Sequence, residues 1–155
     1  MCASRNSLLV LLATFPVLIP QAGAGEERPM RYRPDGDEIV IENGENRFNR
    51  PLYGSNTAFY THSGDLPEIM LSLPGKGGTL WLGIVAGETS KWLSAAEHVV
   101  ARYRAGAMRY EIRDGLLGAG QLRVNVFPMG DAEGVTLRAA LSDDASPIEL
   151  VPPSR

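Results

Sequence analysis

Cysteine is nearly absent. Cys2 is the only one in 155 residues. It stands ahead of the first apolar run, which is not where a lipid-attachment cysteine would lie. Beyond it the chain has no thiol for a disulfide, a metal or a nucleophile. Histidine is almost as scarce, with His62 and His98 alone. HExxH and CxxC spacings are missing, so neither a zinc site nor a cofactor is expected. No serine sits in a G-x-S-x-G elbow, so hydrolase chemistry of that type has no support. The glycines at 75–78 and at 115, 118 and 120 lack the spacing and the βαβ setting of phosphate or dinucleotide loops, and they read as turns. There is no basic block, and the formal charge is −3, so nucleic acid is not an expected partner. Past residue 19 no apolar stretch is long enough to cross a bilayer.

What the front of the chain does have is an address. Arg5 gives a positive start, residues 8–19 are apolar, and Ala22-Gly23-Ala24 has the small-residue form of a cleavage site. Pro16 interrupts an apolar run already short for a membrane span. Residues 1–24 therefore read as a signal peptide, with a retained anchor as the alternative. The protein is expected to be exported, periplasmic or secreted, and free of the membrane once cut. Removing 24 of the 155 residues leaves 131, enough for one domain. Without disulfides that domain must rest on an ordinary hydrophobic core.

Strand signals recur along the mature chain, separated by turn signals. They fall at 30–33, 38–42, 58–61, 68–73, 79–86, 98–104, 108–113, 121–127 and 135–141. Segment 79–86 is apolar on both faces, Leu80, Leu82 and Ile84 opposing Trp81 and Val85. That predicts one central strand, with Trp81 in the core. The last four segments alternate with period two, and short glycine-containing links join them. Their inward sets are Val99, Ala101 and Tyr103; Met108, Tyr110 and Ile112; Leu122, Val124 and Val126; and Val135, Leu137, Ala139 and Leu141. The other face carries Arg102, Arg104, Arg109, Glu111, Arg113, Arg123 and Arg138. It reads as a solvated charged face partly paired through Glu111, with a docking face as the alternative. Only 91–100 has room for a helical turn. The fold expected for 25–151 is all-β, an antiparallel β-sandwich. Residues 148–151 start a further strand without a following partner, and 152–155 form a Pro-rich tail. The sandwich is therefore expected to be incomplete and the tail a truncation.

Between two of these strands lies an unusual polar run. Asn46, Arg47, Asn49, Arg50, Tyr53 and Asn56 place six hydrogen-bonding side chains in eleven positions. Planar amides and guanidinium groups suit hydroxyls and carboxylates and supply no nucleophile. The run reads as a recognition or interdomain loop, or as a connection whose side chains satisfy local backbone groups. If it faces another domain, Arg47→Ala and Arg50→Ala should each cost under about 1 kcal/mol here. Trp92 reads first as a core-packing residue, with ligand stacking as the alternative, since an indole face can stack on a sugar ring. A glycosidase needs two carboxylates flanking a cleft. Asp65 and Glu68 are close in sequence, but Asp65 falls in a turn, and no catalytic residue is assigned.

Several phrases carry a resemblance: Arg31-Tyr32-Arg33-Pro34-Asp35-Gly36, Asn46-Arg47-Phe48-Asn49-Arg50-Pro51-Leu52-Tyr53-Gly54, Gly64-Asp65-Leu66-Pro67-Glu68, Ser90-Lys91-Trp92-Leu93 and Val100-Ala101-Arg102-Tyr103-Arg104-Ala105-Gly106. From about Met30 to Leu150 the chain resembles the start of the DUF4450 family, large exported proteins typical of Bacteroidetes and of uncharacterised function. Their layout is similar to glycoside hydrolases in which an N-terminal β-sandwich precedes a helical barrel that would carry the acid and base. The resemblance implies a non-catalytic N-terminal sandwich whose partner is the missing C-terminal domain. A stand-alone glycan-binding module and a structural envelope domain are the alternatives.

The leader generates the first prediction. Mass spectrometry of the exported protein should find Gly25 as its first residue. An intact chain from Met1 in the envelope would instead mean a retained anchor.

Overall fold

A computed structural model describes residues 31–53 and 56–152. The expected signal peptide, Met30, Gly54, Ser55 and residues 153–155 of the tail lie outside the described residues. The described residues hold β1 (Arg33–Asp35), β2 (Glu38–Glu42), β3 (Arg50–Leu52), β4 (Tyr60–Ser63), β5 (Glu68–Leu73), β6 (Lys76–Trp81), β7 (Gly83–Ala86), β8 (Thr89–Trp92), β9 (His98–Arg104), β10 (Ala107–Arg113), β11 (Leu122–Pro128), β12 (Val135–Leu141) and β13 (Glu149–Val151). Two single 3-10 turns, Leu93–Ala95 and Gly115–Leu117, are their only helical pieces. Every strand pairing between these elements is antiparallel. The all-β class expected from the alternation is the class observed.

One layer is a six-stranded sheet in the order β1-β2-β9-β10-β11-β12. Facing it are a four-stranded sheet, β3-β4-β5-β6, and a three-stranded sheet, β13-β7-β8. The period-two pattern of β9 to β11 explains the first layer. Val99, Ala101, Met108, Tyr110, Ile112, Leu122, Val124 and Val126 all point inward and are buried. Register sets them side by side: Ile41 beside Ala101, Ala101 beside Tyr110, and Tyr110 beside Val124. The small Ala101 leaves room for the large ring of Tyr110. Leu52, Ile69 and Ile84 from the other sheets, Leu82 between β6 and β7, and Leu93 in the first 3-10 turn complete the core. The Tyr110 hydroxyl donates to the Gly64 carbonyl at 2.8 Å and pairs with Ser63, so a polar joint crosses the core. Burial raises the phenol well above its usual pKa, so it stays neutral.

The structure corrects the sequence reading at four places. Segment 79–86 is two strands in two sheets, β6 and β7, separated at Leu82. Its two-sided apolarity arises because the chain changes sheet there. Leu82 and Ile84 enter the core while Trp81 stays 42% exposed. Arg50–Leu52, read as loop, is strand β3, an edge position that accommodates Pro51. On β12 the expected inward row is only partly covered. Leu137 packs against the core, but Leu141 is 38% exposed at the sheet edge. The last strand, β13, is not an orphan, because it pairs back with β7 and sets Leu150 beside Ile84.

The outer face of the large sheet is charged, as its sequence pattern indicates. Register places Arg102 directly opposite Arg109, an unfavourable pairing taken alone. Glu38 relieves it, accepting from Arg109 at 2.7 Å and from Arg102 at 3.4 Å. Asp35 accepts from Arg102 at 2.7 Å, and Glu111 lies 3.4 Å from Arg102 and 3.7 Å from Arg109.

Asp114 ties the smallest sheet to the large one. It is buried and accepts from Lys91 Nζ at 2.7 Å, from Leu116 N at 3.0 Å and from Glu97 N at 3.2 Å. Burial pushes its carboxyl up, but the Lys91 ammonium and the two amides together bring it below the usual aspartate value. A lowered folded pKa stabilises the fold above the unfolded carboxylate range, and that contribution is lost as pH falls through the folded value. Asp114→Asn should therefore lower the urea midpoint most near about pH 7. The gap to wild type should close in strong acid, where the native carboxyl is protonated. A gap independent of pH would show that Asp114 stabilises the fold by shape alone.

Candidate functional site

The polar stretch begins where β2 ends. Asn43 adopts φ +47° and prolongs the ladder, its N–H donating to Val99 O at 2.8 Å while its Oδ1 accepts from Val99 N at 2.9 Å. Asn and Gly are the residues that turn a chain this way most readily. Gly44 follows, and a Cβ on it would come within 2.5 Å of the Asp65 carboxylate. The absent side chain is what lets Asp65 approach.

Asp65 is 2% exposed. Its backbone N–H donates to Asn46 O at 2.8 Å, and its Oδ2 accepts from Asn46 N at 3.0 Å. The Tyr32 hydroxyl donates to its two oxygens at 3.0 and 2.8 Å. That same hydroxyl accepts from Asn46 Nδ2 at 2.6 Å and from Asn49 Nδ2 at 3.0 Å. A phenol has one proton and two lone pairs, and Tyr32 uses all three. The Arg50 guanidinium lies 4.6 Å from the centre of the Tyr32 ring and 5.5 Å from that of Tyr103. Tyr103 in turn donates to Pro51 O at 3.1 Å. Arg47 directs two nitrogens at one oxygen of Glu68, Nε at 2.7 Å and Nη2 beside it. Glu68 is 5% exposed, so its charge depends on that partner.

Asn46, Arg47, Asn49 and Arg50 therefore converge on residues of their own domain. Tyr53, 75% exposed, and Asn56 face solvent. Trp92 lies elsewhere, at the end of β8, with its ring centre 6.1 Å from that of Trp81 and 46% of its surface exposed. Sequence reasoning missed Tyr32 and Tyr103 as members of the polar cluster. It weighed Asp65 and Glu68 only as catalytic carboxylates. Their link to the turn spans 19 to 33 residues, and only strand register brings it about. Both are held by donors from the turn or from Tyr32.

This is an open antiparallel sandwich with an internally braced polar turn. Residues 73–152 match the family model of a domain of unknown function, DUF4450. The chain belongs to the DUF4450 family. The matched span runs from the end of β5 through β13, so it contains Trp81 and Trp92 but not the polar turn. No curated protein matches the chain, and no solved structure does.

The geometry revises the expected cost of losing Arg47. Removing one partner of a fully buried pair costs about 3–5 kcal/mol. The Arg47 side chain is 50% exposed, and water reduces the figure to about 2 kcal/mol. Arg50→Ala should cost about 1 kcal/mol, through its two aromatic contacts. Urea unfolding checks both. An Arg47→Ala loss below about 0.5 kcal/mol would mean that Glu68 does not need its partner.

Proposed function

We propose that this chain is the non-catalytic β-sandwich of an exported, carbohydrate-active protein of glycoside-hydrolase-like layout. Its partner in this reading is a helical barrel domain that carries the acid and base. The leader supports export to the periplasm or beyond. One observation carries the non-catalytic part. Each buried carboxylate among the described residues is held by neighbours: Asp65 by Tyr32 and Asn46, Glu68 by Arg47, and Asp114 by Lys91 and two amides. A general acid needs a free proton aimed at substrate, and these groups are committed as acceptors.

A second reading, a stand-alone glycan-binding module, draws on the two exposed indoles of Trp81 and Trp92. Both readings expect no turnover. The purified protein, assayed over aryl glycosides and polysaccharides, should hydrolyse none above a blank. Turnover that disappears in Glu68→Gln would overturn the proposal and give that carboxylate a catalytic role.

A further inference from the structure

The three-stranded sheet β13-β7-β8 turns one face to the core and one to solvent. Ile84 is on the inner face, fully buried, with Lys91 and Leu150 beside it in register. The outer face carries Trp92, Gly83 and Val151 in one cross-strand row, and Ser90, Val85 and Glu149 in the next. Gly83 is the device that shapes this face. A Cβ there would come within 3.2 Å of Trp92 Cε3, 3.3 Å of Cζ3 and 3.3 Å of Val151 Cγ2. The indole thus lies across the bare backbone of β7 toward Val151, seated in space a side chain would fill. Trp81, arriving from β6, inclines its ring at 63° to that of Trp92. A hollow of about 270 Å³ beside Trp92 is lined by Gly83, Ile84, Val85, Ser90, Lys91, Trp92 and Val151.

We propose that this face is a seat for a single, soluble, neutral glycan chain, with pyranose rings stacked on Trp92 and Trp81. The proposal rests on the carbohydrate-active reading above and adds the place and the ligand class. Four features select the ligand. A pyranose presents polarised C–H groups on its face and hydroxyls on its edge. The indoles offer apolar planes for the face. Ser90 and Glu149 stand one row away, about 7 Å along the strands, where they can meet the edge hydroxyls. The 63° inclination prevents both rings from lying on one flat crystalline surface, so the match is to a twisted single chain. Glu149 and a net charge of −3 disfavour acidic sugars. Lys91 also lines the hollow, but its ammonium is paired with Asp114 at 2.7 Å.

Trp81 and Trp92 are the chain's only two tryptophans, so indole emission reports from this seat alone. The experiment titrates the purified protein with cello-, xylo-, manno- and malto-hexaose and follows tryptophan fluorescence. A saturable change is expected with at least one of them. Trp92→Ala and Trp81→Ala, each keeping one reporter, should weaken that binding about tenfold or more. Far-UV circular dichroism checks that both variants fold, and Trp92→Phe should recover part of the affinity. Four outcomes would overturn the seat: no saturable change with any hexaose, wild-type affinity in both alanine variants, binding restricted to microcrystalline cellulose, or preference for an acidic oligosaccharide. Absence of both binding and turnover removes the seat and leaves the non-catalytic reading. Glu68-dependent turnover with binding retained removes that reading and leaves the seat in place.

Discussion

A carboxylate can be taken out of water only if other groups replace its hydration, and Asp65 is where this protein meets that requirement most fully. Its oxygens receive the Tyr32 hydroxyl and the Asn46 amide. Those donors come from the chain before β1 and after β2, while Asp65 itself lies between β4 and β5. One buried charge thereby fastens the start of the domain to the four-stranded sheet. Its neighbours Ser63 and Gly64 meet Tyr110 of the large sheet. Three consecutive residues thus carry polar links in two directions. The Gly64 backbone also packs so closely against Asn46 and Phe48 that a Cβ would approach within 2.5 Å of the Asn46 carbonyl.

The sheet that was easiest to read is the one whose burial follows a local rule. Val99 and Ala101, Met108, Tyr110 and Ile112, and Leu122, Val124 and Val126 alternate with polar residues, and alternation is a property of neighbours in sequence. Strand β8 is different. Thr89-Ser90-Lys91-Trp92 shows no apolar alternation, and its pairing with β7 is what makes it a strand. Trp81 was misplaced for a related reason. An apolar run from Leu80 to Val85 fits a strand covered on both faces as well as a chain that changes sheet, and only the location of Leu82 separates the two.

The candidate site was half legible. Asn46, Arg47, Asn49 and Arg50 announce themselves by composition, because a run of planar donors is rare without a purpose. What they hold was not readable. Tyr32, Asp65 and Glu68 are distant in sequence, and no local pattern states that β-sheet register will bring them to the turn. Composition identified the donors, and topology supplied the acceptors.

The six-stranded sheet has a further consequence, in the order of its assembly. β9, β10, β11 and β12 form a meander of neighbouring strands, so each pairing closes only a short loop. β2 joins the same sheet across a separation of 56 residues, marked by the Asn43 side chain on Val99. Chain entropy opposes that closure more than any hairpin, and it is rewarded only once β3 to β8 fill the space between the layers. The meander is therefore the natural early structure, and β1, β2 and the Asp65 clasp the natural late one. Interactions made late act on the rate of unfolding rather than of folding. The clasp thus works as a kinetic latch, fixing how long the closed sandwich lasts more than how quickly it forms.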